Sequence, residues 1–403
     1  MASFSVVYLM QVPFTAAYRA RWAVDWFISL GAAVTVVDVG DLMVPQLKHD
    51  RAHYGAVEGV RLVVATPRTG LAEAECALDG ADVVFVMAGT GHPEPRGLGV
   101  LRMLSRARAP KVMFSTNVHP SASEPPPTLL ARLRRADPLR SLVGRLPLGL
   151  LGIRPFEAVV IGGRKSEPCV PLVGPQTHRI LAHAADWDVY RDEAAKPLAA
   201  DEGRTALYID TWLGYHPDSV AEGHGQPVDP AEFYPRLRRL FDRVEAELGL
   251  EVVIAAHPRA DYYAAPGLFG ARRIVKGGTA ALVRSCRLGI GCHSTASSFA
   301  VLFGKPLMII ATRSLDAHPT VGHKMRCTAA ALGTKPVFID DPDAVDLTRA
   351  YEVDQAAYRA YVEDYIMRAG SSEDPYWVKV MTGLAGAGLL RPDLAARFAG
   401  HRA

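Results

Sequence analysis

The chain has 403 residues, of which 49% are hydrophobic and 22% are charged. Single hydrophobic cores stop growing at roughly 250 to 300 residues, so we expect two domains, and the composition excludes a largely disordered chain. Lys and Arg exceed Asp and Glu by 45 − 42 = 3. This balance excludes a strong overall field for binding nucleic acid.

The cysteines and the N-terminal sequence bear on the cellular compartment. Five cysteines are scattered without a CxxC pair, so the sequence predicts neither a disulfide framework nor a zinc site. The first ten residues lack the cationic start and the small-residue cleavage site of a secretory signal. No run reaches the roughly 18 to 20 apolar residues of a membrane-spanning helix. We therefore expect a cytoplasmic protein, and attachment to the inner face of the cytoplasmic membrane stays open.

The first half of the chain has the pattern of an α/β sheet. It opens with a predicted strand at 5–10, a helix at 16–30 and a second strand at 33–39. Further apolar, β-rich segments lie at 61–65, 82–88, 111–115, 158–161 and 179–182. Helix-compatible segments between several of these strands favour a mainly parallel sheet. No GxGxxG follows the first strand and no GxxxxGK[ST] occurs, which disfavours a nicotinamide dehydrogenase and a P-loop nucleotidase.

A less regular insertion occupies about 120–155. Six arginines alternate there with leucines: Arg132, Arg134, Arg135, Arg140, Arg145 and Arg154. As a functional feature this segment is an amphipathic surface for anionic lipid headgroups or an anionic acceptor. As a structural feature it is a solvated helix and a loop. The sequence leaves both interpretations open.

A second α/β pattern follows a charged, alanine-rich linker at about 192–203. Strands are predicted at 205–209, 251–256, 288–292, 306–311 and 336–339, with helices at 230–248, 279–286, 297–303, 353–367 and 377–398. We therefore predict a first Rossmann-like domain at 1–200 and a second at 201–375. The segment 376–403 is predicted to be a helix that packs back on the first domain.

Two strand ends in the second half carry polar side chains. The strand ending at 256 is followed by His257-Pro258-Arg259, and the strand ending at 292 is followed by His293, Ser294, Thr295, Ser297 and Ser298. Ligands of open parallel sheets bind beyond the carboxyl ends of the strands, and hydroxyls at a helix start can hold phosphate. A strand-capping histidine and a serine N-cap are the structural alternatives. Four hydroxyls within five positions exceed what an N-cap needs, which indicates a phosphate site.

The order of these motifs resembles the nucleotide-binding domain of GT-B glycosyltransferases, above all bacterial sialyltransferases and Kdo or capsule polysaccharide transferases. The likeness extends over about 205–311 and ends in Gly304-Lys305-Pro306. It implies two Rossmann-like domains with a cleft between them. It also implies that an HP motif, here His257 and Pro258, and a paired-serine motif, here Ser297 and Ser298, hold the phosphate of a CMP-activated acidic sugar.

The resemblance also bears on the donor. Many UDP-sugar enzymes of this fold have a ribose-binding glutamate where this chain has Phe299, so a CMP-sugar is favoured. We expect Arg259 and Lys276 to neutralise the leaving phosphate without a metal, and Gly277 to lie in a base-contacting loop. The predicted enzyme is a glycosyltransferase of surface polysaccharide assembly, such as lipopolysaccharide or capsule, with a glycan or lipid-linked acceptor. A UDP- or GDP-sugar transferase and a UDP-sugar 2-epimerase remain alternatives.

The catalytic base is not fixed by the sequence. Transfer needs a group that deprotonates the acceptor hydroxyl, normally a carboxylate facing the cleft. Asp210 follows the first strand of the second half and Asp186 follows the last strand of the first half, so both are candidates alongside His257. Helix capping and a linker salt bridge are the structural alternatives for the two carboxylates. Residues predicted to line the acceptor side are Gln11, His183 and His216.

Overall fold

The computed structural model of the chain describes residues 4–45, 55, 57–89, 92–120, 143–144, 146–197, 202–216, 225–262 and 266–399. Its strands are β1 Phe4–Met10, β2 Ala32–Asp38, β3 Val60–Val64, β4 Val83–Val86, β5 Lys111–Ser115, β6 Ala158–Ile161, β7 His178–Leu181, β8 Thr205–Ile209, β9 Glu251–Ala256, β10 Ile274–Lys276, β11 Leu288–Gly291, β12 Leu307–Ala311 and β13 Val337–Phe338.

The helices alternate with these strands in both halves of the chain. They are α1 Ala16–Arg21, α2 Val24–Ser29, α3 Gly40–Met43, α4 Ala72–Asp79, α5 Leu98–Arg106, α6 Asp186–Ala194, α7 Pro230–Leu248, α8 Thr279–Ser285, α9 Ser297–Leu302, α10 Arg313–Ala317, α11 Val321–Ala331, α12 Gln355–Tyr361, α13 Tyr376–Gly386 and α14 Pro392–Ala399. A π-helical turn, Val362–Ile366, continues α12.

Two parallel sheets organise the molecule. The first has the order β3-β2-β1-β4-β5-β6-β7, and the second has the order β10-β9-β8-β11-β12-β13. Every neighbouring pair is parallel, for example β1 with β4 and β8 with β11. The predicted fold class of two Rossmann-like α/β halves is therefore confirmed.

The central strands of both sheets are buried on both faces, which explains why they are continuously apolar. In the first sheet, alternate residues of β1 enter separate cores: Tyr8 belongs to the core that also contains α13 and α14, and Leu9 to the core on the opposite face. Trp377 of α13 contacts the rings of Tyr8, Phe27 and Phe85. The last helices of the chain thus complete the hydrophobic core of the first sheet.

Several elements differ from the sequence prediction. The helix predicted at 16–30 is broken, because Ala23 has a left-handed backbone with φ of 49° between α1 and α2. The segment 377–398 is likewise two helices, which turn at Gly388 with φ of 68°. The edge strand β10 and the helices α10 and α11 were not predicted. Strand β10 has only three residues, too few for a hydrophobic period to show in the sequence.

Candidate functional site

A group of basic side chains lies at the carboxyl ends of strands from both sheets. It comprises His119 after β5, His216 after β8, His257 after β9, His293 after β11, and His318 and Lys324 after β12. We call these six residues the histidine-lysine cluster. Because all strands of a parallel sheet end at one edge, loops far apart in sequence meet there.

The imidazoles of His119 and His293 join the two halves. Their ring centroids are 5.9 Å apart with an interplanar angle of 40°. On the second half, the rings of His216 and His257 are 4.8 Å apart in an edge-to-face arrangement. The cluster therefore brings side chains that follow four strands of the second half, β8, β9, β11 and β12, to one side chain of the first half.

Burial makes the central imidazoles weak bases. It lowers the pKa of His293 well below its usual value, and the neighbouring His119, Lys324, His216 and His318 lower it further. Burial, followed by the charge of Lys324, lowers the pKa of His119 to about 4. Both imidazoles are therefore uncharged at neutral pH. The Nδ1 atoms of His119 and His293 are buried and have no hydrogen-bond partner in the described part of the chain.

The conformation of the HP segment is fixed by backbone contacts. His257 donates its backbone N–H to Tyr262 Oη at 3.1 Å, and its Nδ1 accepts a hydrogen bond from the backbone N–H of Arg259 at 3.3 Å. Accepting at Nδ1 places a proton on Nε2 in the neutral ring. Pro258 and Arg259 are exposed beside it. The loop thus presents one oriented imidazole and an accessible guanidinium.

The hydroxyl-rich segment is engaged by the protein itself. Ser297 and Ser298 are only 3% and 5% exposed. Ser298 Oγ lies 2.6 Å from Asp186 Oδ2 and 2.7 Å from the carbonyl oxygen of Thr295. Ser294 Oγ accepts from the backbone N–H of Ala296 at 3.2 Å. A phosphate group would have to displace Asp186 to bind the Ser298 hydroxyl, so Ser294 and Thr295 are the more accessible members of the segment.

Asp186 is an interdomain contact. Its Oδ1 accepts from Asn117 Nδ2 at 2.9 Å, and its Oδ2 contacts Ser298. Burial raises the pKa of Asp186, although the hydrogen bonds to Ser298 and Asn117 and the charge of Arg21 oppose that shift. Each oxygen of this carboxyl therefore already has one partner within the protein.

Asp210 is also occupied. It is 3% exposed, its Oδ2 accepts from Tyr262 Oη, and its Oδ1 accepts from the backbone N–H of Trp212 at 2.8 Å. Burial raises the pKa of Asp210 to about 6 against the effect of these hydrogen bonds. Trp212 has φ of 52°, a strained conformation for a bulky residue. Asp210 therefore holds the loop after β8 and connects it through Tyr262 to His257.

The remaining predicted site residues are distributed around this centre. Gln11 Oε1 accepts from the backbone N–H of Gly89 at 2.9 Å and braces a neighbouring loop. His183 is fully buried, with its two ring nitrogens 3.0 Å from the carbonyl oxygens of Ala184 and Asp374. Lys276 is exposed, and Gly277 follows it with φ of 85°. The polar atoms of Gln11 and His183 are thus engaged by the protein itself, and Lys276 is accessible to solvent.

Three members of the cluster were missed in the sequence. His119 stands four residues beyond the end of β5, at the border of the irregular insertion, and its strand-end position was the available signal. His318 and Lys324 follow the unpredicted helix α10 and lie at the start of α11, respectively. Without those helices the sequence could not bring them back to the strand end of β12.

Two other predictions concern metals and membranes. In the described ranges, no group of three His, Cys, Asp or Glu side chains is arranged to hold a metal ion. The helices seen in those ranges include none that combines the length and apolarity needed to cross a bilayer. Arg132, Arg134, Arg135, Arg140 and Arg145 of the basic insertion lie outside the described residues, and Arg154 is exposed.

Comparison with known proteins supports the fold more than the activity. No protein-family model matches the chain. It is 32% identical over 167 residues to 4-amino-4-deoxyprephenate dehydrogenase of Streptomyces pristinaespiralis, a match to 40% of this chain and 46% of that protein. The chain thus spans less than half the length of this curated relative.

Solved structures resemble the chain over nearly its whole length. The wall teichoic acid polymerase TagF is 10% identical, covers 98% of this chain and 90% of its own, and has a TM-score of 0.53. The calicheamicin glycosyltransferase CalG4 is 13% identical over 89% of this chain and 92% of its own, with a TM-score of 0.47. A UDP-N-acetylglucosamine 2-epimerase is 11% identical over 96% and 97%, with a TM-score of 0.48. The TagF likeness supports the two-domain GT-B fold, and none of these matches supports the finer resemblance to sialyltransferases or Kdo transferases.

Proposed function

We propose that the protein is a glycosyltransferase that uses a nucleoside-diphosphate sugar. The observation that carries this proposal is the histidine-lysine cluster, which lies where the carboxyl ends of two parallel sheets meet. A GT-B fold places its ligands in that cleft, and cationic or hydrogen-bonding groups there stabilise the charge that develops on a leaving phosphate. In this proposal the half at 201–375 binds the donor and the half at 1–200 binds the acceptor.

A UDP- or GDP-sugar fits the site better than the CMP-activated acidic sugar inferred from the sequence motifs. A diphosphate has two anionic groups, and His293, His318 and Lys324 offer several donors close together. The comparisons give no support to CMP. Phe299, at 7% exposure, is part of the hydrophobic core of the second half.

We further propose His119 as the base that deprotonates the acceptor hydroxyl. It comes from the first half, is uncharged at neutral pH and has an unpartnered buried Nδ1 within the described part of the chain. An uncharged imidazole can accept a proton, whereas both oxygens of Asp186 and of Asp210 already accept hydrogen bonds. His257, Arg259 and Lys324 then contact the donor phosphates.

The first test is thermal-shift titration with UDP, GDP, CMP and NAD. Ligands that bind the native state stabilise it by RT ln(1 + [L]/Kd). We expect UDP or GDP to raise the melting temperature and CMP and NAD to have little effect. The His293→Gln variant should lose most of this shift, and His178→Gln, an exposed histidine at the amino end of β7, should retain it.

Each result bears on a separate part of the proposal. No shift with any nucleotide would remove the transferase assignment, and a shift with NAD alone would favour a dehydrogenase. Isomerisation of a bound UDP-sugar without an acceptor would identify a 2-epimerase.

Acceptor contact at a membrane is tested by liposome flotation with and without 128–154, and unchanged flotation would exclude the basic insertion as a membrane anchor.

A further inference from the structure

The pair formed by His119 and His293 is an unusual arrangement of two polar groups. Each ring is supplied by a different half, and each has a buried Nδ1 without a partner among the described residues. Buried polar atoms in proteins are nearly always hydrogen-bonded, so two such atoms in neighbouring rings indicate that a ligand or water belongs there. The proposed donor phosphates are anions that accept hydrogen bonds, and an imidazole can supply them.

We propose that the donor diphosphate binds together with one proton, which His293 takes up while His119 stays uncharged. This inference rests on the proposed nucleotide-sugar function and deepens it. His293 belongs to the second half, whose strand ends surround the phosphate site, and His119 belongs to the acceptor half. Binding of the sugar donor therefore leaves the two rings in different states. His293 is a cation that donates a hydrogen bond to the leaving phosphate, and His119 is a neutral base for the acceptor hydroxyl.

The charges around the pair explain why only one proton is taken up. His293 is faced by His119 after β5, His216 after β8, and His318 and Lys324 after β12. In the free protein, burial above all, and after it these basic groups, lower the pKa of His293 and keep its ring neutral. A bound diphosphate offsets the charge of Lys324 and favours the imidazolium form of His293. Two rings with centroids 5.9 Å apart repel when both are charged, so the second proton is disfavoured.

Isothermal titration calorimetry measures this proton directly. UDP-glucose is titrated into the full chain at pH 7.5 in two buffers of different ionisation enthalpy. Its diphosphate is a diester and does not itself take up a proton near this pH. The difference in observed heat gives the number of protons bound, and we expect about one per ligand, with an affinity that falls as pH rises.

Variants locate the proton. We expect uptake to disappear in His293→Gln and to persist in His119→Gln and in the control His178→Gln. Inorganic pyrophosphate, titrated in parallel, separates the phosphate contribution from that of the nucleoside. If UDP-glucose binds the wild-type protein without a buffer-dependent heat, the inference is overturned and the transferase proposal survives. If neither UDP-glucose nor pyrophosphate binds, the inference is overturned, and the thermal-shift titration with UDP and GDP decides whether the transferase proposal fails with it. Uptake that persists in His293→Gln would also overturn the assignment to this ring.

Discussion

Asp186 Oδ2 and Ser298 Oγ lie 2.6 Å apart and connect α6, which follows the first sheet, to α9 of the second half. Ser298 Oγ is also 2.7 Å from the carbonyl oxygen of Thr295, and a hydroxyl has only one hydrogen to donate. The single Ser298 hydrogen is therefore shared between Asp186 Oδ2 and the carbonyl oxygen of Thr295. This hydrogen bond opposes the rise that burial causes in the pKa of Asp186.

The first prediction is that this contact couples the two halves. Asp186→Ala leaves the amide of Asn117 without its acceptor and should lower the free energy of unfolding by about 1–3 kcal/mol. Ser298→Ala should lower it as well, and the double variant should cost less than the sum, with a coupling energy of roughly 1 kcal/mol. Denaturant unfolding of the four proteins measures the cycle.

The exposed Asp192 on the same helix supplies the control for Asp186. Asp192→Ala should leave the free energy of unfolding within roughly 0.5 kcal/mol of the wild-type value. Strict additivity of Asp186→Ala and Ser298→Ala would show that the contact does not join the halves energetically.

The second prediction concerns Asp210 and pH. Its pKa is about 6 in the folded protein and 3.8 in an unfolded chain, so the folded state binds more protons between these values. Stability from this group is therefore full below pH 3.8 and is lost as pH rises through 6. The loss approaches about 3 kcal/mol, because each pKa unit corresponds to about 1.4 kcal/mol.

Comparison of wild-type protein with Asp210→Asn tests this prediction. As pH rises from 4 to 7, the free energy of unfolding of the wild-type protein should fall relative to that of the variant. The exposed helix N-cap Asp229 is the matched control, and Asp229→Asn should show no such change over that range. Identical pH profiles for wild type and Asp210→Asn would contradict the raised pKa.

Most of the fold could be predicted from the sequence. Apolar segments such as those of β1 and β9 are continuous because both faces of a parallel sheet are buried, and the linker composition near 192–203 marks the restart of the pattern. The break at Ala23 was not accessible, since alanine favours a helix and gives no signal for a left-handed backbone.

Only part of the candidate site could be predicted from the sequence. Strand-end position predicted a phosphate site at His257 and His293, and the structure places both residues beside other basic side chains. The sequence pattern does not show which hydroxyls and carboxyls already have a hydrogen-bond partner in the fold. The hydrogen bond between Ser298 and Asp186, for example, joins residues 112 positions apart in the chain. Long-range partners decide which polar groups stay available to a ligand.

The third prediction is catalytic. His119→Gln removes the proposed base and should lower kcat by about 100-fold or more, with little change in donor KM, because the donor contacts lie on the second half. Glycosyl transfer measured with a saturating UDP- or GDP-sugar tests this effect. His178→Gln should keep wild-type kcat. A His119→Gln variant that loses donor affinity but keeps kcat would assign this residue to binding instead.

The fourth prediction concerns the return of the chain to the first sheet. A Cβ on Gly163, just after β6, would lie 2.2 Å from the backbone carbon of Asp364 in the π-helical turn. Backbone atoms cannot yield to such an overlap, so Gly163→Ala should lower the free energy of unfolding by about 3 kcal/mol. Gly149→Ala is the control because no atom lies within 4 Å of its added Cβ. Equal melting temperatures for both variants would contradict the close approach.

The fifth prediction concerns the last helices of the chain. Trp377 is 7% exposed and its ring lies against those of Tyr8, Phe27 and Phe85, all of which belong to the first sheet or to helix α2 packed on it. Trp377→Ala leaves a large cavity there and should cost roughly 3–5 kcal/mol of the free energy of unfolding. Leu150→Ala, at a residue that is 76% exposed, should change it by less than about 0.5 kcal/mol.

Because α13 completes this core, hydrogen exchange in Trp377→Ala should accelerate in β1 and β4 more than in β8 and β9. Uniform acceleration across both sheets would show instead that the two halves unfold as one unit.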